Sequence, residues 1–194
     1  MPVTRAPILP YKFITGSGNY YFLSPSAGTQ TVTPTGDLCY CFPRFIPNPC
    51  VVTDIGCWVI TGQAGSTARF AIYTDNGSFL PSTLVVDTGT VATTGTGATA
   101  SVTLPIPVPL TAGNWWFGFV AHSSGTVASF DFEASNVGYF SFTYKTNPPT
   151  PGTSTFTPYG YTVTSTPAFP TTWTATANTA IIGTPVARLW IRIQ

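Results

Sequence analysis

From residue 38 onward, short apolar runs alternate with turn chemistry, and within the runs the apolar positions recur every second residue, the period of a strand. Residues 68–122 show this best: four apolar runs are separated by turn residues, as in consecutive strands of an antiparallel sandwich. One strand is predicted from Ala68 to Thr74, closed by Asp75-Asn76-Gly77, where Asn and Gly accept positive φ cheaply. Leu84 to Asp87 and Gly89 to Ala92 form the next run. The Thr/Gly-rich residues 93–100 are predicted as an exposed, flexible loop. Proline alternates with apolar residues from Leu104 to Leu110, which places that piece on a sheet edge because proline cannot donate to a ladder. In Asn114 to His122, Trp115, Phe117 and Phe119 point one way and Trp116, Val120 and His122 the other.

The same reading extends to both sides. In CVVTDIGCWVI, Ile55, Cys57 and Val59 share one face and Gly56, Trp58 and Ile60 the other, so both faces are expected to be largely covered. Val127 to Ala134 alternates Phe130 and Phe132 inward with Asp131 and Glu133 outward, and a hairpin across Ser135-Asn136 is expected to lead into YFSFTY. Residues 1–37 read as an extended arm with one short strand from Asn19 to Leu23. Residues 38–194 form the sandwich domain, interrupted at 145–185 by a Pro/Thr-rich excursion with one strand over Tyr159 to Ser165. The closing strand, 186–194, sets Leu189, Ile191 and Ile193 against Arg188, Trp190 and Arg192. No helix and no internal repeat is evident. The fold class predicted is therefore all-β, an antiparallel β-sandwich of jelly-roll type.

Composition changes the picture in one respect. Only 7% of the 194 residues are charged, against ~25% in ordinary soluble domains, while 43% are hydrophobic, 14% aromatic and 35 are threonine. That apolar content can offset the entropy of ordering, so the chain folds, but its polarity comes from hydroxyls. With a net charge of +1, a surface partly covered by partners is expected. Seven Lys and Arg spread over the whole chain make no nucleic-acid footprint. No apolar run approaches the ~20 residues that span a bilayer, and MPVTRAPILP lacks a secretory layout, so synthesis in a cytosol is expected.

Candidate chemistry is sparse. His122, the only histidine, has no nucleophile elbow to serve and reads as a strand-end residue. Asp131 and Glu133 share a strand face at a spacing that suits a carboxylate pair, yet with phenylalanines between them they read as a solvated face. Cys39, Cys41, Cys50 and Cys57 lack the paired C-x2-C knuckles of zinc sites; buried thiols are favoured, with disulfides and a metal as alternatives. Arg69 and Tyr73 lie four apart on one strand face, which suggests an Arg–aromatic or Arg69–Asp75 contact. Asp75 and Asp87 each precede a Gly-containing turn and should accept its N–H groups; a Ca²⁺ between the turns is the alternative reading. Of the five tryptophans, any of which can be a sugar-stacking platform, Trp173 in the excursion is the best candidate for an exposed contact. No catalytic residue, metal or cofactor is assigned.

Three segments carry a resemblance. Arg69-x-x-Ile72-Tyr73-x-Asp75-x-Gly77, then Pro81-x-x-Leu84-Val85-x-Asp87-x-Gly89-x-Val91, then Leu110-x-x-Gly113-Asn114-Trp115-Trp116 resemble a β-sandwich domain of tailed-bacteriophage virion proteins. That domain recurs in head fibres, capsid decoration proteins and tail-associated receptor-binding proteins. The ending, Ala168-Phe169-Pro170 and Trp190 to Arg192, is similar too. The likeness spans roughly Leu38 to Ala134 and the last strand. It leaves the arm, the cysteines and the excursion unmatched.

The resemblance implies a non-enzymatic virion structural protein, a capsid decoration, cement or head-fibre component assembled as a homotrimer on the major capsid protein or another virion protein. On this expectation Tyr20, Tyr21 and Phe22 of the arm and Phe156, Phe169 and Trp173 of the excursion bury themselves on neighbouring subunits. The alternative it implies is a tail-associated receptor-binding module for a host surface glycan.

Overall fold

The computed structural model describes residues 19–23, 29–123, 125–133, 159–164, 168–173, 179–182 and 186–194. Among them there are thirteen strands and no helix. In chain order these are β1 (Asn19–Phe22), β2 (Thr29–Val32), β3 (Leu38–Ile46), β4 (Cys50–Thr61), β5 (Thr67–Asp75), β6 (Pro81–Ala92) and β7 (Ala98–Leu110). They are followed by β8 (Gly113–His122), β9 (Ser129–Glu133), β10 (Tyr159–Thr164), β11 (Thr179–Ile182), β12 (Val186–Ala187) and β13 (Trp190–Ile193).

The antiparallel pairings nest. Hairpin β5–β6 is innermost; β4 pairs β7, β3 pairs β8 and β2 pairs β9 outside it. A long hairpin rolled up in this way gives two four-stranded sheets, β2-β9-β4-β7 and β3-β8-β5-β6, the jelly-roll arrangement. The remaining strands enlarge it. β10 and β11 extend the second sheet beside β3. The chain end fills the place where β9 and β4 diverge, β12 pairing β9 and β13 pairing β4, and β1 pairs the far side of β13.

The period-two pattern explains the layers. Ile55, Cys57 and Val59 of β4, Phe70 and Ile72 of β5, Phe117 and Phe119 of β8, Phe130 and Phe132 of β9, and Leu189, Ile191 and Ile193 at the chain end all face the space between the sheets. Phe119 joins the two sheets there, with its ring edge-on to Phe130 at 5.1 Å and to Phe132 at 5.9 Å. The proline-rich run of β7 is an edge strand, paired among the described strands with β4 alone. Its ladder breaks between Thr103 and Val108, so Pro105 to Pro107 bulge out and Ile106 is 77% exposed.

A second apolar cluster lies on the outer face of the six-stranded sheet, where Cys39, Cys41, Ala71, Tyr73, Trp116 and Val120 are roofed by Phe169 and Trp173. The roof is tied down by Leu84 N–H to Thr171 O (3.0 Å), Trp173 N–H to Ser82 O (2.9 Å) and Tyr73 O–H to Pro170 O (2.8 Å). Trp173 is only 5% exposed, which corrects its reading as an exposed contact residue. Residues 168–173 return over this sheet because its outer face is itself apolar, and an indole buried there removes more apolar area from water than one left on the surface.

Two further expectations need correction. Thr93, placed in a flexible loop, is buried, donating its N–H to Ser66 O and its O–H to Ser66 Oγ, and β7 already begins at Ala98. Asp131 does not face solvent: Arg188 covers it, and the residue is 7% exposed. The outer face of β4 is largely covered as expected, with Asp54 and Gly56 buried and Ile60 half-buried, and Trp58 stands out from it at 41% exposure. The hairpin expected at Ser135-Asn136 lies outside the described residues.

Candidate functional site

The outer face of the seven-stranded sheet is assembled by cross-strand register. One row runs Tyr20–Arg192–Asp54–Thr103 and the next Phe22–Trp190–Gly56–Ser101, with Trp58 opposite Thr99 beyond them. The first row is polar and closed. Arg192 Nε lies 2.7 Å from Asp54 Oδ2, Thr103 donates to Asp54 Oδ1 at 2.7 Å, and the Arg192 guanidinium sits 5.9 Å from the centre of the Tyr20 ring. Contact with Tyr20, then the charge of Asp54, raises the Arg192 pKa above its ordinary value.

The second row is open. Trp190 lies across Gly56, whose missing side chain makes room for the indole, and Tyr20 meets Trp190 edge-on at 5.2 Å. Between these rings, Trp58 and Ile60 runs a groove of about 590 Å³, mostly apolar in lining, with Thr99, Ser101 and Asp131 as its polar residues. Arg188 holds Asp131 Oδ2 at 3.3 Å, and its N–H donates to the Asp131 carbonyl at 3.1 Å. The other carboxylate oxygen, Oδ1, is buried and accepts no hydrogen bond from any described residue. On the inner side of the same sheet the Cys57 thiol has its pKa raised, first by burial and then by the charge of Asp131.

No protein-family model and no curated protein matches this chain. Exposed aromatic surface beside the polar residues Thr99, Ser101 and Asp131 suits a ligand with one apolar face and a hydroxylated edge.

The residues singled out from the sequence are distributed over the molecule. Tyr20 is in the groove wall and 60% exposed, Tyr21 packs against the main core, and Phe22 pairs in register with Trp190. The Phe22 side chain and all of Phe156 lie outside the described residues. Phe169 and Trp173 are inside the chain's own second core. The motif residues act in turns and packing. Asp75 Oδ1 accepts from Gly77 N–H (2.7 Å) and its Oδ2 from Trp116 Nε1 (2.8 Å), while Asp87 Oδ1 accepts from Gly89 N–H (3.1 Å). Gly77, Gly89 and Gly113 have φ of 84°, 70° and 135°. Arg69 pairs with Asp87 at 2.5 Å rather than with Asp75, because the irregularity in β6 around Gly89 swings Asp87 alongside it. Trp115 is half-buried, its Nε1 donating to Thr111 O at 2.9 Å. His122 ends β8 with Nδ1 2.5 Å from Asp37 Oδ1. The four cysteines are buried thiols outside any disulfide, and no group of three or more metal-ligating side chains occurs among the described residues.

Sequence reasoning did not assemble the groove. Trp58 and Trp190 were recognisable only as two of five tryptophans, and the signal that unites them, a glycine set opposite a tryptophan, requires the register of β4 against β13.

Proposed function

We propose that this chain is a non-enzymatic binding component of a tailed-phage virion, a jelly-roll module that holds a saccharide of the host surface in the groove between Trp58, Tyr20 and Trp190. The observation that carries this reading is Trp58, an indole left 41% exposed on a strand beside two further rings and the polar atoms of Thr99, Ser101 and Asp131. A sugar ring presents C–H groups on one face and hydroxyls around its edge, so aromatic surface and hydrogen-bonding groups engage it together. Hydrolysis of a glycoside uses two carboxyl groups across the bond, and Asp131 is the one carboxylate lining the groove among the described residues, which favours binding over turnover. The assignment to a phage virion rests on the sequence resemblance. A glycan array tests the function: the native protein is expected to bind a subset of glycans and Trp58→Ala to lose them, whereas no binding by the native protein overturns the reading.

A second reading, a decoration or cement component assembled as a homotrimer on the major capsid protein, is favoured by Ile106 and Phe45, which stand 77% and 55% exposed. Sites of that kind suit an apolar contact with a neighbouring subunit. Virion incorporation distinguishes it: Ile106→Asp should abolish attachment if that bulge is the contact and leave it intact if the groove carries the function.

A further inference from the structure

We propose that the groove selects an uncharged, hydroxyl-bearing sugar over acidic and amino sugars, and that Asp131 makes the selection; this rests on the groove being a saccharide site. The argument begins with the second oxygen of Asp131. Buried carboxylates ordinarily accept hydrogen bonds at both oxygens, and leaving one without a donor costs stability. Oδ2 has Arg188, whereas Oδ1 has no donor among the described residues and belongs to a side chain lining the groove. Because this oxygen is buried, a ligand hydroxyl becomes the donor that it lacks by entering against Asp131 and moving what covers it.

The charge balance decides which ligand can supply it. Arg188 already opposes the charge of Asp131, so the site calls for a hydrogen-bond donor and not for a second cation. The other cation nearby, Arg192, is engaged by Asp54 at 2.7 Å and by the Tyr20 ring. A uronic or sialic carboxylate would bring a second negative charge toward a buried acceptor, with both neighbouring guanidiniums already paired. An ammonium would meet a carboxylate already neutralised and would lose its own hydration. The remaining polar points, the hydroxyls of Thr99 and Ser101, suit neutral hydroxyls equally well, since each both donates and accepts. Trp58 supplies the apolar contact common to all such sugars and so confers affinity without discrimination.

The test titrates the full chain, by ligand-observed NMR, with the methyl glycosides of glucose, galactose and mannose, with glucuronate, galacturonate and N-acetylneuraminate, and with glucosamine. The expected result is that at least one neutral glycoside binds about tenfold or more tightly than its uronate, in line with a charge-assisted hydrogen bond. Asp131→Asn, whose amide can donate as well as accept, should weaken the neutral sugar and narrow its advantage over the uronate. Trp58→Ala should weaken all probes alike. A uronate, sialic acid or glucosamine binding as tightly as the neutral sugar overturns the selection while leaving the groove a saccharide site, as does an unchanged preference in Asp131→Asn. Should Asp131→Asn fail to fold, the preference of the native protein between neutral and charged probes decides alone. Absence of binding to every probe and to a glycan array removes the saccharide reading itself, and the selection with it.

Discussion

Gly56 lies beneath Trp190, and there is no space at position 56 for a side chain: a Cβ would stand 2.5 Å from Cζ2 of the indole and 2.6 Å from the carbonyl oxygen of Ala100. The indole can yield, but the backbone of β7 cannot without disturbing the ladder. Gly56→Ala is therefore expected to destabilise the fold by about 1–3 kcal/mol, the usual cost of forcing extra volume into a packed site. It should also lift Trp190 from the floor of the groove. Urea unfolding with tryptophan fluorescence reads both effects; a variant of native stability and native emission would show that Trp190 has another resting place.

The roof over the second sheet makes a related prediction. Phe169 sits over Gly118, where an added Cβ would be 2.8 Å from Phe169 Cε1. Phe169→Ala should cost about 3–5 kcal/mol, as for other buried phenylalanines, because Tyr73 and Trp116 would lose that cover. Gly118→Ala alone should also destabilise. The two substitutions together should cost less than their sum, since the new methyl group enters the space that the ring vacates. Denaturant midpoints of the four proteins check this; strict additivity would mean that the ring does not press on position 118.

Asp87 has two roles that can be separated. It accepts from Gly89 N–H, which stabilises the turn, and it pairs with Arg69 at 2.5 Å. Asp87→Asn keeps an acceptor for the turn and removes the charge, whereas Asp87→Ala removes both. The alanine variant is expected to lose about 2 kcal/mol and the asparagine variant distinctly less, by thermal or urea unfolding. Equal losses would assign the whole effect to the ion pair.

The buried thiols and Tyr73 make stability fall in alkali. Burial raises the pKa of Cys41, Cys50 and Cys57 above the ordinary 9.0, and burial followed by the nearby thiols raises that of Tyr73 above 10.0. In the unfolded chain these groups ionise at their ordinary values, so above about pH 9 unfolding releases protons that the folded chain retains. Their contribution to stability is complete below pH 9 and declines as the pH rises beyond it, by up to about 1.4 kcal/mol per pH unit for each group that ionises only on unfolding. Melting temperatures between pH 7.5 and 10.5, in a reductant, should drop progressively above pH 9. A flat profile would mean that the thiols meet solvent in the folded state. In native buffer the same thiols should resist a disulfide reagent and should react once urea unfolds the chain.

Much of the fold was legible because strand periodicity depends on neighbours two residues apart. Ile55, Cys57 and Val59, or Leu189, Ile191 and Ile193, declare their inward face wherever the strand sits. The turn role of Asp75 was equally local, because Gly77 is two residues away. The local pattern offers Arg69 an aromatic ring or Asp75, whereas the carboxylate it pairs with, Asp87, is brought alongside only by an irregularity in the neighbouring strand. Trp173 reads as exposed because it lies among prolines and threonines, and nothing in that stretch states that it returns over Tyr73.

The sequence by itself determined an all-β sandwich with its inner faces, its principal turns, its proline-marked edge and its lack of surface charge, all properties of residues close together in the chain. Which strands become neighbours, and in what register, was decided only by the tertiary structure. The nest of pairs that rolls the hairpin up, the chain end inserted between β9 and β4, and the meeting of Tyr20, Trp58, Asp131 and Trp190 in one groove all depend on contacts across long separations. Those contacts are settled by how two twisted sheets can bury their apolar faces together, and a strand's own pattern specifies a face to bury without specifying the strand that will lie beside it.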